Sequence, residues 1–249
     1  MADTGGAQPR TLSIDIGGTG VKASVLDANG AMLHDRVRAL TEYPMSPDRL
    51  VATITTLVAE LPPYERVSAA FPGVVRDGHV LTAPAFGTVG GLGTDQDPAL
   101  VAAWNRFDLA GAISNALHRP VRMINDADMQ GLDVVQGHGV EVVITLGTGF
   151  GSAFFKNGRL GPHLELAHHR FRKGQTYNEQ LGDAARKAVG TERWTKRVLE
   201  AIANMRVLSN FDHLYVGGGN AKRLQVELDA DVSIVDNTAG ILGGIRLWD

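Results

Sequence analysis

Three glycine-rich turns and a few carboxylates carry the chemistry this chain could perform. The first turn lies within Asp15-Ile16-Gly17-Gly18-Thr19-Gly20-Val21-Lys22, between two apolar, β-prone runs. Glycine permits positive φ and carries no side chain, so backbone N–H groups there can turn toward an anion. Thr19 adds a hydroxyl and Lys22 a cation. Asp15 would be repelled by a phosphate unless a metal ion stood between them, so the stretch has the make-up of a metal–phosphate site, although most Gly-Gly turns are only turns. Gly147-Thr148-Gly149 and Gly217-Gly218-Gly219 each follow a further apolar run. Three such turns in 249 residues point to a nucleotide or phosphate chain held by backbone amides. The Gly-Lys-Ser/Thr P-loop is missing, and no strand–GxGxxG–helix unit opens the chain.

Asp126 follows the apolar run 120–124 and precedes a helical pattern. On local grounds it is either a helix cap or a general base that takes the proton of an attacking hydroxyl. Strand ends in α/β folds face the ligand crevice, which suits the second role. Asp128 is the weaker candidate, displaced along the helix. Glu165 and His168 lie three residues apart with no second cluster at metal-ligand spacing, so they suit hydrogen bonding to a polyol better than metal binding. Residues 170–197 hold eight Lys or Arg against three acids. Such a run is either a solvated helical face or a track for a polyanion.

The elements that must position these groups alternate between strand and helix, which implies an α/β class. The first turn sits in a β-hairpin, and Asn29-Gly30 signals a second turn before a third strand within 31–39. Pro47 opens a helical pattern through Leu61, strands are expected at 67–71 and 78–81, and residues 83–98 read as a glycine-rich loop. Asp108 caps a helix through Leu117, and 120–124 is a strand leading to Asp126 and a helix to about Gln136. A strand at 141–146 leads into Gly147-Thr148-Gly149-Phe150-Gly151-Ser152, and a strand to Phe155 follows, with a turn at Lys156-Asn157-Gly158. Two helices broken near Gly190 fill 176–210, a strand at 211–216 leads into the third turn, and a strand at 232–235 precedes a final helix. Two blocks thus each begin with strands separated by a Gly-Thr-Gly turn.

Composition narrows the field. A 44% hydrophobic fraction fits a globular protein, and a net charge of −3 gives no general reason to expect nucleic acid binding. The absence of cysteine excludes disulfides, thiolate-bound zinc and a cysteine nucleophile. No apolar run reaches the roughly 20 residues of a membrane span, and the polar start lacks a signal-peptide core, so a cytoplasmic protein is the expectation.

Six pieces in order resemble the ROK (repressor/ORF/kinase) sugar kinases of the actin-like ATPase superfamily, and within them the polyphosphate-using glucokinases. They are Asp15–Lys22, Phe71-Pro72-Gly73-Val74-Val75, Asn125-Asp126-Ala127-Asp128, Thr145–Ser152, Glu165-Leu166-Ala167-His168 and Val216-Gly217-Gly218-Gly219-Asn220. The resemblance runs from about residue 11 to the C-terminus. It implies a two-lobed actin-like (ribonuclease H-like) fold with a central cleft. A leader of residues 1–10 would precede an N-terminal lobe of 11–118 and a C-terminal lobe of 119–236, with a helix over about 237–249 returning to the first lobe. The implied reaction moves a phosphoryl group from polyphosphate or ATP to the 6-hydroxyl of a hexose, glucose first among candidates. Asp126 would be the base, and Asn125, Glu165, His168 and Glu179 would hold the sugar. Asp15 would organise Mg²⁺, and Gly17, Gly18, Thr19, Gly20, Lys22, Gly147, Thr148, Gly149 and Gly217–Gly219 would hold phosphates. The family also implies a homodimer.

Three departures bear on these expectations. No cysteine is present to build the zinc site of many ROK kinases, so no zinc is expected. Ala167 replaces the glycine of the Glu-x-Gly-His motif, and the stretch 82–87 lacks the asparagine with which relatives bind the sugar. An unpaired sugar hydroxyl in a closed site is costly, so sugar preference could shift. The rival expectation is a non-catalytic sugar-binding sensor, since the family includes repressors. A ROK kinase for another sugar is the third.

Overall fold

A computed structural model describes residues 9–224, 226–235 and 243–249. The chain divides into two compact units, Met1–Asp126 with Ile241–Asp249, and Ala127–Gly240.

The first unit is built on β1 (Thr11–Gly17), β2 (Gly20–Leu26), β3 (Val37–Leu40), α1 (Pro47–Val58), β4 (Arg66–Phe71), β5 (Val75–Arg76), β6 (His79–Val80), α2 (Pro98–Trp104), β7 (Phe107–Asp108), α3 (Leu109–Leu117) and β8 (Val121–Asn125). Its main sheet has the order β3-β2-β1-β4-β8. The hairpin β1–β2 is antiparallel, whereas β1, β4 and β8 run parallel. β1 and β4 are buried at nearly every position because both sheet faces are covered, as is usual for parallel strands. Ser46 and Asp108 cap α1 and α3, accepting from the amides of Arg49 and Gly111. The third strand is shorter than expected: only 37–40 pairs with β2, and Met32 makes an isolated bridge to Leu26.

Because β8 pairs with β4, the first unit runs to Asp126 rather than ending at 118. Residues 243–249 return to the same sheet. Trp248 Nε1 donates to Ser68 Oγ, the guanidinium of Arg122 lies over the Trp248 ring, and its Nη1 donates to the Leu247 carbonyl. The final helix expected over about 237–249 is a short 3₁₀ turn at Arg246–Trp248, its earlier part lying outside the described residues.

The second unit comprises most of α4 (Asp126–Val134), then β9 (Val140–Leu146), β10 (Phe150–Lys156), β11 (Arg159–Leu160), β12 (Arg170–Arg172), β13 (Gln175–Thr176), α5 (Tyr177–Leu181), α6 (Asp183–Val189), α7 (Thr191–Ser209), β14 (His213–Gly217) and β15 (Val232–Ile234). Its sheet, β11-β10-β9-β14-β15, again places an antiparallel hairpin beside parallel strands. The α4–β9 connection is closed by buried Glu141, whose carboxylate accepts from the amides of Gln136, Gly137 and His138 and from the Tyr215 hydroxyl. Burial alone would raise the Glu141 pKa, but these donors outweigh it and hold it below the usual value. Where two helices were expected over 176–210 there are three, broken at Gly182 as well as Gly190. Among the described residues no helix is long and apolar enough to cross a membrane.

Candidate active site

The carboxyl ends of β1, β4 and β8 form one edge of the first sheet. Asp15 pairs with Ala70, and Phe71 with Asn125, so Asp15, the Phe71-Pro72-Gly73 turn and Asn125-Asp126 share that edge. Two strand spacings separate β1 from β8, about 10 Å. Asp126 begins α4 and is exposed at this edge. Asn125 is buried and donates from Nδ2 to the Gly73 carbonyl at 3.0 Å, which ties the end of β8 to the turn after β4. Lys22, directly across the hairpin from Asp15, pairs with it at 2.9 Å. The lysine is therefore already neutralised by the carboxylate expected to hold a metal.

The turn between β1 and β2 has its carbonyls fastened from one side. Thr41 Oγ1 donates to the Gly17 carbonyl at 2.7 Å, Tyr43 donates its hydroxyl to that of Gly18 at 2.8 Å, and the Thr41 amide reaches that of Thr19 at 3.5 Å. A trans peptide is planar with C=O and N–H opposed. The N–H groups of Gly18 and Thr19 thus point away from residues 41–43, and neither donates to a described residue. The tip, Thr19, is exposed.

The same device recurs in the second unit with other chemistry. The Asp183 amide donates to the Gly147 and Thr148 carbonyls at 3.1 and 3.3 Å, and Asn220 Nδ2 donates to that of Gly147 at 3.3 Å. The Thr148 and Gly149 amides face the opposite way and donate to no described residue, and Thr148 is exposed. Asn220 also donates to Asp183 Oδ1, which takes Arg186, while Asp183 Oδ2 pairs with Lys187. Hydrogen bonds from Lys187 and then Arg186 hold the Asp183 carboxyl well below the usual carboxylate range. In the third turn Gly218 has φ +86°, and a Cβ there would lie 2.5 Å from the Leu146 carbonyl oxygen. Only glycine lets this turn rest on the strand that ends at the second turn.

Of the expected sugar contacts in the second unit, Glu165 is half-buried and His168, at the end of a 3₁₀ turn, is exposed. Glu179 forms a capping box with Thr176 at the start of α5, its Oε2 accepting from the Thr176 amide and hydroxyl. His163, which the sequence did not single out, bridges Asp128 and Glu165. Its partner on α4 is 35 residues away in the chain, so no local pattern pointed to it.

In the stretch 82–87, Phe86 is buried against Phe71 and Trp104. The helix α2, unforeseen within and beyond the expected loop, supplies Trp104 and is capped by Asp97. Within 170–197, Arg172, Arg186, Lys187 and Lys196 engage acids, and among the described residues Arg170, Lys173, Arg193 and Arg197 form no ion pair. The segment is half neutralised by its own helices.

The chain belongs to the ROK family, whose model matches residues 11–168. It is similar over nearly its whole length to the polyphosphate glucokinase of Mycobacterium tuberculosis, at 30% identity over 263 residues, 97% of this chain and 93% of that protein. Among solved structures, the inorganic polyphosphate/ATP-glucomannokinase from Arthrobacter sp. strain KM matches with a TM-score of 0.81 at 29% identity, covering 97% of this chain and 100% of that one. A ROK family glucokinase from Streptomyces griseus in complex with glucose and AMPPNP has a TM-score of 0.70 at 19% identity, over 96% of this chain and 98% of that one. The α/β fold is that of the actin-like ATPases.

Proposed function

We propose that the chain is a sugar kinase that transfers a phosphoryl group from polyphosphate or ATP to the 6-hydroxyl of a hexose, with glucose the first candidate. The observation that carries this reading is the shared sheet edge, where exposed Asp126 lies two strands from a glycine turn whose free amides face outward. The similarity to a polyphosphate glucokinase and to a polyphosphate/ATP-glucomannokinase supports the donor and the acceptor class.

In this reading Asp126 accepts the proton of the sugar hydroxyl as its oxygen attacks the terminal phosphorus. The bridging P–O bond then breaks and the shortened donor leaves. Phosphoryl transfer asks the protein mainly for positioning and charge stabilisation. The amides of Gly18, Thr19, Thr148 and Gly149 serve the phosphate oxygens. Gly218 and Asn220 keep the second turn in shape, so the third glycine run acts through its neighbour. Asn125, Glu165, His168 and Glu179 are the sugar ligands of this reading; the capping box takes only Oε2 of Glu179.

Mg²⁺ is compatible with these residues. Among the described residues no cluster of three or more His, Asp or Glu could hold a metal by itself. Mg²⁺ in phosphoryl-transfer sites commonly uses one or two carboxylates together with substrate phosphates and water. Asp15 fits as that carboxylate, since Lys22 occupies only its Oδ2. The ion would neutralise phosphate charge there.

The test is a coupled assay of sugars crossed with ATP and polyphosphate over a range of salt. Transfer to glucose from at least one donor is expected, with the polyphosphate rate falling as salt rises because Arg170, Lys173, Arg193 and Arg197 carry charge that no ion pair among the described residues neutralises. Use of ATP alone removes the polyphosphate reading. Sugar binding with no transfer from either donor would replace the kinase by a sugar sensor.

A further inference from the structure

His163 carries a largely buried imidazole held between two carboxylates, and the reaction as read above makes no use of it. Its Nδ1 lies 2.9 Å from Asp128 Oδ2 on α4, and its Nε2 lies 3.3 Å from Glu165 Oε2, with side-chain exposures of 10%, 3% and 30% for His163, Asp128 and Glu165. The backbone on either side is fastened independently. The Gly161 amide donates to the Phe154 carbonyl, and Ser152 Oγ donates to that of Leu164, both on β10. The loop is therefore held in place without the imidazole, and what His163 adds is a connection from α4 to the Glu165 carboxylate.

We propose that His163 is a positioning residue that fixes the Glu165 carboxylate for the sugar hydroxyls by bridging it to Asp128. This rests on the sugar-kinase reading and on Glu165 as a sugar ligand. The bridge occupies Glu165 Oε2, and no described residue donates to Oε1, which leaves that oxygen for a hydroxyl. Two carboxylates this close repel unless a cation separates them. Asp128 and Glu165 are the charged groups that face His163. Burial lowers the His163 pKa, but the hydrogen bonds and charges of Asp128 and Glu165 outweigh it and hold it up at about 10. Burial pushes Asp128 up while its bond to His163 pulls it down. Because the His163 value is raised, the bridge is complete below the ordinary imidazole value and is lost only as pH rises toward 10. Sugar affinity should accordingly stay flat across neutral pH.

His163→Gln keeps one hydrogen bond and removes the cation. Calorimetric titration with glucose and steady-state kinetics on the full chain, from pH 6 to 9, test the proposal. The variant is expected to bind glucose about ten-fold more weakly, the scale of a lost charge-assisted bond, with donor KM unchanged and thermal midpoint within a few degrees of wild type. Its affinity should also become pH-dependent toward the acid side, where one of the now unseparated carboxylates takes up a proton. Unchanged glucose affinity in a folded His163→Gln protein overturns the proposal. If that variant does not fold, Asp128→Ala decides. It removes the acceptor for Nδ1, and an unchanged glucose affinity there overturns the proposal equally. A wild-type protein that binds no sugar refutes the underlying sugar-kinase reading, and the proposal with it; a wild type that binds sugar alongside an unaffected variant refutes the bridge alone.

Discussion

The Gly17–Gly20 and Gly147–Gly149 turns reach one arrangement by different means. In each a Gly-Thr-Gly tip joins an antiparallel hairpin, the carbonyls are tied down, and planarity of the peptide turns the amides outward. In the first turn the ties are neutral hydroxyls from Thr41 and Tyr43. In the second they are a helix-start amide and a carboxamide, the latter anchored to a carboxylate with two cationic partners. A neutral tie gains or loses one modest bond, whereas removing one member of a charged network leaves the others unsatisfied. The second turn should therefore be the more sensitive of the two to single substitutions.

The largest effect should come from Gly218→Ala. A methyl group there meets the Leu146 backbone at a left-handed φ, so a loss of more than about 2 kcal/mol is expected in denaturant unfolding. A midpoint equal to wild type would show that the third turn does not support the second. Asn220→Ala comes next. It removes a mostly buried carboxamide that serves both the Gly147 carbonyl and Asp183, and should raise donor KM about ten-fold with sugar KM unchanged. Tyr43→Phe deletes only the hydroxyl on the Gly18 carbonyl, and should cost about 1 kcal/mol and raise donor KM a few-fold. Equal effects of Tyr43→Phe and Asn220→Ala on donor KM would erase the distinction between the two turns.

Much of this was readable from local patterns. The hairpin of the first turn, the Asp108 cap, the strand delivering Asp126 and the break at Gly190 all follow from neighbours within a few residues. What eluded the sequence depends on distant partners. The ties from Thr41 and Tyr43 come from more than twenty residues away, and the Asp183–Asn220 pair joins segments 37 apart. Helix α2 follows a glycine-rich stretch and escaped notice because its anchor, Trp104, packs on the distant Phe71 and on Phe86 and bonds the Met45 carbonyl. Glu179 is the opposite case. Thr176-x-x-Glu179 spells a capping box in plain sequence, and the sugar contact implied by the family resemblance drew attention away from it.

The role of Asp126 is most directly tested by phosphoryl transfer in Asp126→Asn, measured with the donor and sugar that the wild type uses best. Loss of a general base should lower kcat by about 10²–10⁴-fold while thermal stability and sugar affinity stay near wild type. Wild-type turnover in a folded Asp126→Asn protein would contradict the assignment of Asp126 as the base.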